Sequence, residues 1–169
     1  TWSRMSVEER AKRLEKAADL LDAKRDHFLA LLSREAGKTM DDGVSEIREA
    51  VDFCRFYARE AVKSFGEPIA LPGPTGEDNR LVHRGRGVFV CISPWNFPLA
   101  IFAGQVVAAL AAGNAVLAKP AEQTNLIGHA AVRLMHEAGV PQDVLQYLPG
   151  DGATVGAALT RDPRVAGVC

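Results

Sequence analysis

Apolar residues recur at helical spacing through the first third of the chain. Val7, Leu14, Ala18 and Leu21 share one helix face, with Lys and Arg opposite. Ser6-Val7-Glu8-Glu9 is a capping-box pattern that opens this helix. A second stripe, Phe28, Leu31 and Leu32, runs to Gly37, a C-terminal stop, and a bend is expected near Lys24–Asp26. Val44, Ile47, Val51, Cys54, Ala58 and Ala61 predict one long helix from about Met40 to Ser64, ending near Gly66. Its other side carries Glu46, Glu49 and Asp52 and reads as a solvated acidic face.

The pattern changes after Gly66. Glu67–Asp78 holds Pro68, Pro72, Gly73, Pro74 and Gly76 and predicts an irregular extended segment. Arg80–His83 predicts a short strand, and Gly85-Arg86-Gly87 a sharp turn. Val88–Ile92 is an apolar run rich in β-formers, as expected of a strand buried on both faces. Pro94 and Pro98 bracket the loop that follows and fix its backbone. Leu99–Ala112 predicts a helix stopped by Gly113 and Asn114, and Ala115–Lys119 a second strand. Thr124 is placed to cap a helix over Asn125–Ala138, closed by Gly139. Val144–Leu148 predicts a third strand, Pro149–Gly156 opens a helix to about Arg161, and Val165–Cys169 reads as a strand just begun. Alternating strands and helices give an α/β fold, with helices covering a mostly parallel sheet and right-handed crossovers. In such sheets ligands bind at the carboxyl ends of the strands.

Composition narrows the function. The chain has 169 residues, 47% hydrophobic and 24% charged, enough for one domain with a real core. Its net charge is −1 with both signs scattered, which argues against nucleic acid or a membrane surface as partner. No apolar run reaches membrane-span length, and the first residues lack the apolar centre of a signal peptide. Three cysteines, Cys54, Cys91 and Cys169, have no metal-ligand spacing and read as reduced thiols of a cytoplasmic protein. No metal site is expected. The absent Met start and the unfinished last strand point to a piece of a longer protein.

The candidate chemistry sits after the strands. Trp95 is a large flat surface. Asn96 offers amide donors without charge, and held between two prolines it suits an oxyanion. Lys119 and Glu122 can hold sugar hydroxyls from both sides. Taken singly, each has a plainer explanation: a buried Trp in a tight turn, an Asn bonded to backbone, a surface Lys–Glu pair. Their combination in one strand–loop–helix–strand unit favours function. Gly150, Gly152 and Gly156 form a Gly-x-Gly-x-x-x-Gly turn, one residue longer than the common dinucleotide fingerprint, with packing glycines as an equal alternative. His27, His83, His129 and His136 read as surface residues, and Cys54 and Cys91 as core thiols.

Pro94-Trp95-Asn96-Phe97-Pro98, followed by Lys119-Pro120-Ala121-Glu122-Gln123-Thr124, resembles the aldehyde dehydrogenase superfamily. The string Cys91–Phe102 is similar to the L-glutamate γ-semialdehyde (1-pyrroline-5-carboxylate) dehydrogenase branch, including the dehydrogenase domains of bifunctional proline-utilisation flavoproteins. The likeness runs along almost the whole chain and is most specific over Gly87–Gly156. It implies NAD-dependent oxidation of a small-molecule aldehyde, L-glutamate γ-semialdehyde, to L-glutamate in proline catabolism. The route would pass through a Cys thiohemiacetal and a thioester. It implies Asn96 as oxyanion donor, Trp95 as a wall of the cofactor cleft, and Lys119 and Glu122 as the grip on the adenosine ribose. Ile92, Ser93 and Ala121 would flank the cofactor, and Gly152 and Gly156 would lie at its adenine end. Phe97 would wall the aldehyde pocket, and Glu49 would face it to meet the substrate's α-ammonium group.

The same resemblance divides the chain. Residues 1–65 would be N-terminal helices of the cofactor domain, 66–86 a segment reaching toward an oligomerisation sheet, and 87–169 the first part of a Rossmann-like NAD domain. The full-length protein would be a homo-oligomer. The nucleophilic Cys and the base Glu would lie downstream of Cys169, and FAD would belong only to a separate proline dehydrogenase domain. Asn125 stands where the family often has Pro, and Asn costs little at a helix start. The rival readings are a non-catalytic nucleotide-binding or oligomerisation module and an aldehyde dehydrogenase of another substrate branch.

Overall fold

A computed structural model describes residues 2–169. Helices α1 (Val7–Ala23) and α2 (Arg25–Ala36) part at Lys24, where the bend is expected. The Ser6 hydroxyl accepts from Glu9 N at 3.2 Å, but the Glu9 carboxylate turns to Lys12 at 3.4 Å, so only half of the capping box forms. Gly37 closes α2 at φ 67°, a left-handed conformation that suits a residue without Cβ. Helix α3 (Met40–Phe65) is a single 26-residue rod capped by Thr39, whose hydroxyl accepts from Asp42 N at 3.2 Å. Leu14, Leu21, Phe28, Leu32, Ile47 and Cys54 are fully buried where these helices meet.

The segment expected to be irregular contains a hairpin. Strands β1 (Ile69–Leu71) and β2 (Asn79–Leu81) pair antiparallel with each other alone and are exposed throughout. Pro68 and Pro72 flank β1 without interrupting it, which proline permits at the edges of a strand. His83 lies beyond β2 rather than in it. Its Nδ1 is 2.9 Å from Ser64 O and its ring packs against Phe65.

The main sheet holds β3 (Val88–Ile92), β4 (Ala115–Lys119), β5 (Leu145–Tyr147) and β6 (Val165–Val168) in the order β5-β4-β3-β6, all parallel. The chain steps outward from β3 to β5, then returns to place β6 on the other side of β3. That reversal is a topological switch point, the place where sheets of this kind take ligands, at the carboxyl end of β3. Helix α4 (Ala100–Ala111) is apolar on nearly all sides and correspondingly buried. Its C-terminal carbonyls are met from the N-terminus: Trp2 Nε1 donates to Leu110 O at 3.0 Å and Arg10 Nε to Ala111 O at 3.1 Å. Gly113 then turns into β4 at φ 89°.

The N-terminus of α5 (Asn125–Glu137) departs from expectation. Thr124 makes no capping bond, and its hydroxyl is buried without a partner among the described residues. The cap comes from α2 instead. Glu35 Oε1 accepts from Leu126 N at 2.7 Å and Oε2 from Ile127 N at 2.8 Å. A carboxylate is a stronger acceptor than a hydroxyl at the positive end of a helix, so the distant acid displaces the local Thr. Among the described residues no helix is long and apolar enough to cross a membrane.

Candidate functional site

Parallel pairing sets the site. Ile92 is in register with Lys119, so the Ser93–Pro98 loop and the Pro120–Glu122 turn leave the sheet side by side. Ser93 N donates to Lys119 O at 3.1 Å and Leu148 N to Ala118 O at 2.9 Å, which brings the exit of β5 to the same edge. There Asp151 accepts from Thr154 N at 2.6 Å and starts a π-helical turn, Gly152–Gly156, before the short helix α6 (Ala157–Arg161). Such turns appear frequently at functional positions. Glu122 Oε1 accepts from Gly152 N at 2.7 Å. A Cβ on Gly156 would stand 3.6 Å from Lys119 Cε, and one on Gly152 4.0 Å from Glu122 Oε1. Four residues singled out from the sequence, Lys119, Glu122, Gly152 and Gly156, therefore meet at one place.

Lys119 and Glu122 are not a surface ion pair. Lys119 is 2% exposed and donates to Pro120 O at 3.1 Å, whereas Glu122 is exposed and serves Gly152. The Glu122 carboxyl is held below its ordinary range by its own backbone N–H, by the Gly152 N–H and by the nearby Lys119 charge. Ala121 is buried, Ile92 half-buried, and the buried Ser93 hydroxyl has no partner among the described residues. Trp95 is 58% exposed, so it does not fill a turn, and Asn96 and Phe97 are exposed beside it. The amides of Asn79, Asn114 and Asn125 bond to backbone oxygens, whereas the Asn96 amide is tied to no other described residue.

The acidic face of α3 is only partly solvated. Glu46 is 1% exposed, and its Oε1 accepts from Leu99 N at 2.7 Å and Ala100 N at 3.2 Å, at the start of α4. Its Oε2 lies 3.1 Å from Lys38 Nζ. Lys38 Nζ in turn stands 4.1 Å from the centroid of the Phe97 ring. Sequence reasoning missed both residues. The available signal was position: Glu46 adjoins Ile47 and precedes Ala50 by one turn, inside the buried stripe. Glu49 is exposed and lines an open groove of about 610 Å³ with Ser45, Arg48, Asp52, Phe53 and Phe56. Phe97 is not among the residues lining that groove.

Neither core thiol is poised to react. Burial pushes both Cys54 and Cys91 up to about 12, with the Cys169 thiol adding to the effect at Cys91. A thiol, unlike a thiolate, is a poor nucleophile.

Known proteins share this fold. The chain is 53% identical over 167 residues to the bifunctional protein PutA of Klebsiella aerogenes, a match covering 99% of this chain and 12% of that protein. It is 44% identical over 164 residues to the 1-pyrroline-5-carboxylate dehydrogenase of Geobacillus thermodenitrificans, covering 97% of this chain and 32% of that protein. A crystal structure of a bifunctional PutA superposes with a TM-score of 0.96 at 62% identity, over 99% of this chain and 17% of the other. A 1-pyrroline-5-carboxylate dehydrogenase from Thermus with bound NAD superposes with a TM-score of 0.95 at 38% identity, over 99% of this chain and 32% of the other. The chain thus spans a third or less of the length of each of these relatives. From its first residue to its last, 1–169, it matches one family, and the switch-point edge just described is part of what matches: the chain belongs to the aldehyde dehydrogenase family.

Proposed function

We propose that this chain supplies the cofactor edge and the oxyanion donor for NAD-dependent oxidation of L-glutamate γ-semialdehyde to L-glutamate. The observation that carries this is the convergence of Lys119, Glu122, Gly152 and Gly156 beside the Asn96 loop at one sheet edge. The names of the relatives and the NAD bound by the Thermus protein support it. The residues also fit a dinucleotide physically. Glu122 presents an exposed carboxylate with one oxygen on Gly152 N, and at the same edge the buried Ser93 hydroxyl has no partner among the described residues.

NAD, when bound, accepts the hydride that leaves the aldehyde carbon. Glu122 and Lys119 hold ribose hydroxyls, one as acceptor and one as donor, with Ile92, Ser93 and Ala121 against the cofactor and Trp95 as a wall. Asn96 donates its amide N–H to the oxygen that becomes negative when a thiolate adds to the carbonyl. Hydride loss then leaves a thioester. Water cleaves it, releasing the carboxylate, a proton and the free thiol. Cys54 and Cys91 are buried in the core with raised thiols, which argues against either as the nucleophile. Glu49 meets the substrate's α-ammonium group and Phe97 packs on its aliphatic stem. The exposed β1–β2 hairpin, with Ile69, Leu71, Leu81 and Val82 open to solvent, joins a second copy in the oligomer.

The experiment uses a polypeptide carrying this chain within a complete catalytic domain. It forms NADH from γ-semialdehyde and NAD. Asn96→Ala lowers kcat by about 10²–10³ while NAD affinity stays. NADH from simple aldehydes alone would assign another substrate branch, and none from any aldehyde would make the chain a non-catalytic module.

A further inference from the structure

We propose that Glu46 is the positioning residue for the Asn96 amide, and that Lys38 clamps it to the neighbouring Phe97. This rests on Asn96 acting as the oxyanion donor. An oxyanion donor works only if it is held before the charge develops. Trp95, Asn96 and Phe97 are all exposed, so packing does not hold them. Pro94 and Pro98 restrict their own φ and the backbone of Ser93 and Phe97 before them, which fixes the loop's ends but not the Asn96 side chain. The loop's far anchor is the first turn of α4, where Leu99 has no capping side chain of its own.

Glu46 supplies that anchor across the helix interface. One carboxylate oxygen takes both the Leu99 and the Ala100 N–H, at 2.7 and 3.2 Å. A buried carboxylate is costly unless it is paired and hydrogen-bonded. Here it has two N–H donors at a positive helix end and Lys38 Nζ 3.1 Å from its other oxygen. The same Nζ stands 4.1 Å from the centroid of the Phe97 ring, a cation–π distance. The Lys38–Glu46 pair therefore holds the Asn96 loop at two points, a ring immediately after Asn96 and the backbone where the loop becomes helix. The contacts of Lys119 and Glu122 are to other residues, so loss of this clamp leaves the cofactor grip intact.

The test uses Glu46→Ala, Glu46→Gln and Lys38→Met in the complete catalytic domain, each alone and combined with Asn96→Ala. Single-turnover hydride transfer and NAD Kd are measured. Glu46→Ala slows hydride transfer by roughly 10²-fold, the scale of a misplaced catalytic group, with NAD Kd unchanged. Glu46→Gln recovers most of the rate, because its amide oxygen still accepts from Leu99 and Ala100, and Lys38→Met falls between the two. On the Asn96→Ala background, Glu46→Ala costs no more than about twofold, the non-additivity of groups acting as one unit. An equal Glu46→Ala loss on both backgrounds, or no recovery with Gln, overturns the positioning role while Asn96 keeps its own. An Asn96→Ala enzyme at full rate removes the oxyanion reading, and this proposal with it. If Glu46→Ala does not fold, Glu46→Gln and Lys38→Met carry the same comparison across the two backgrounds.

Discussion

A carboxylate that accepts from ribose hydroxyls must be ionised and already in place. Glu122 is both: backbone N–H groups, its own first and then that of Gly152, hold its carboxyl below the ordinary range, and Gly152 fixes one of its oxygens. On the proposed reading, the other oxygen takes the 2′- and 3′-hydroxyls of NAD. The same charge repels the added phosphate of NADP. Lys119 lies close enough to offset part of that repulsion, but a phosphate would also displace the hydroxyl contacts. The complete enzyme is therefore expected to show higher kcat/KM with NAD than with NADP. Glu122→Gln keeps the Gly152 bond and narrows the preference by about tenfold, the order of one charge-assisted hydrogen bond. Steady-state kinetics with both cofactors checks this, and equal use by the unsubstituted enzyme would show that Glu122 does not choose between them.

At the scale of elements, the two helices that border the site, α4 and α5, are both capped from a distance, by Glu46 and Glu35. Glu35→Ala leaves Leu126 and Ile127 N–H without their acceptor, and Thr124 sits in no position to replace it. A loss of about 1–2 kcal/mol is expected, the range for a lost N-cap, and Glu35→Gln should recover part of it. Urea unfolding measures both, and an unchanged midpoint in Glu35→Ala would mean that the cap is dispensable. These distant caps also mark what the sequence could and could not convey. The apolar period located α1, α3, α4 and the strands of the main sheet because each buries one face or all of itself, and burial leaves a repeating trace. The β1–β2 hairpin is exposed throughout and leaves only a partial trace: the sequence predicts a strand over Arg80–His83, overlapping β2, but none at β1. The Lys119–Glu122 turn and the glycine turn were legible because both follow strands. Glu46 looked like one of three solvent acids because its partners are backbone groups, which carry no residue signature, 53 positions downstream.

The whole molecule carries a sensitivity to alkali. Cys54 and Cys91 ionise from an ordinary value of 9.0 when exposed and about 12 when folded, through burial first. Burial, followed by the Glu35 charge, likewise lifts Tyr147 from 10.0 to about 12. Between those limits the folded state holds more protons than the unfolded one, so the stability these groups contribute is whole below pH 9 and falls as the pH rises toward 12. Urea midpoints should stay level from these groups up to pH 9 and decline above it. Cys54→Ala should make the decline shallower even though it lowers the midpoint at pH 8, and a midpoint that rises above pH 9 would contradict the assignment. The distant caps act in time as well as in space. A ribosome builds α2 and α3 first, with Glu35 waiting for amides 91 residues further along the chain and Glu46 for amides 53 further. At ordinary synthesis speeds the longer interval is roughly 5–20 s. Through it the first three helices can pack on one another, but the faces that meet α4 and α5 and the two acids stay unmatched. The helical layer is thus expected to lock only once Leu126 and Ile127 have been made, after β4 and before β5.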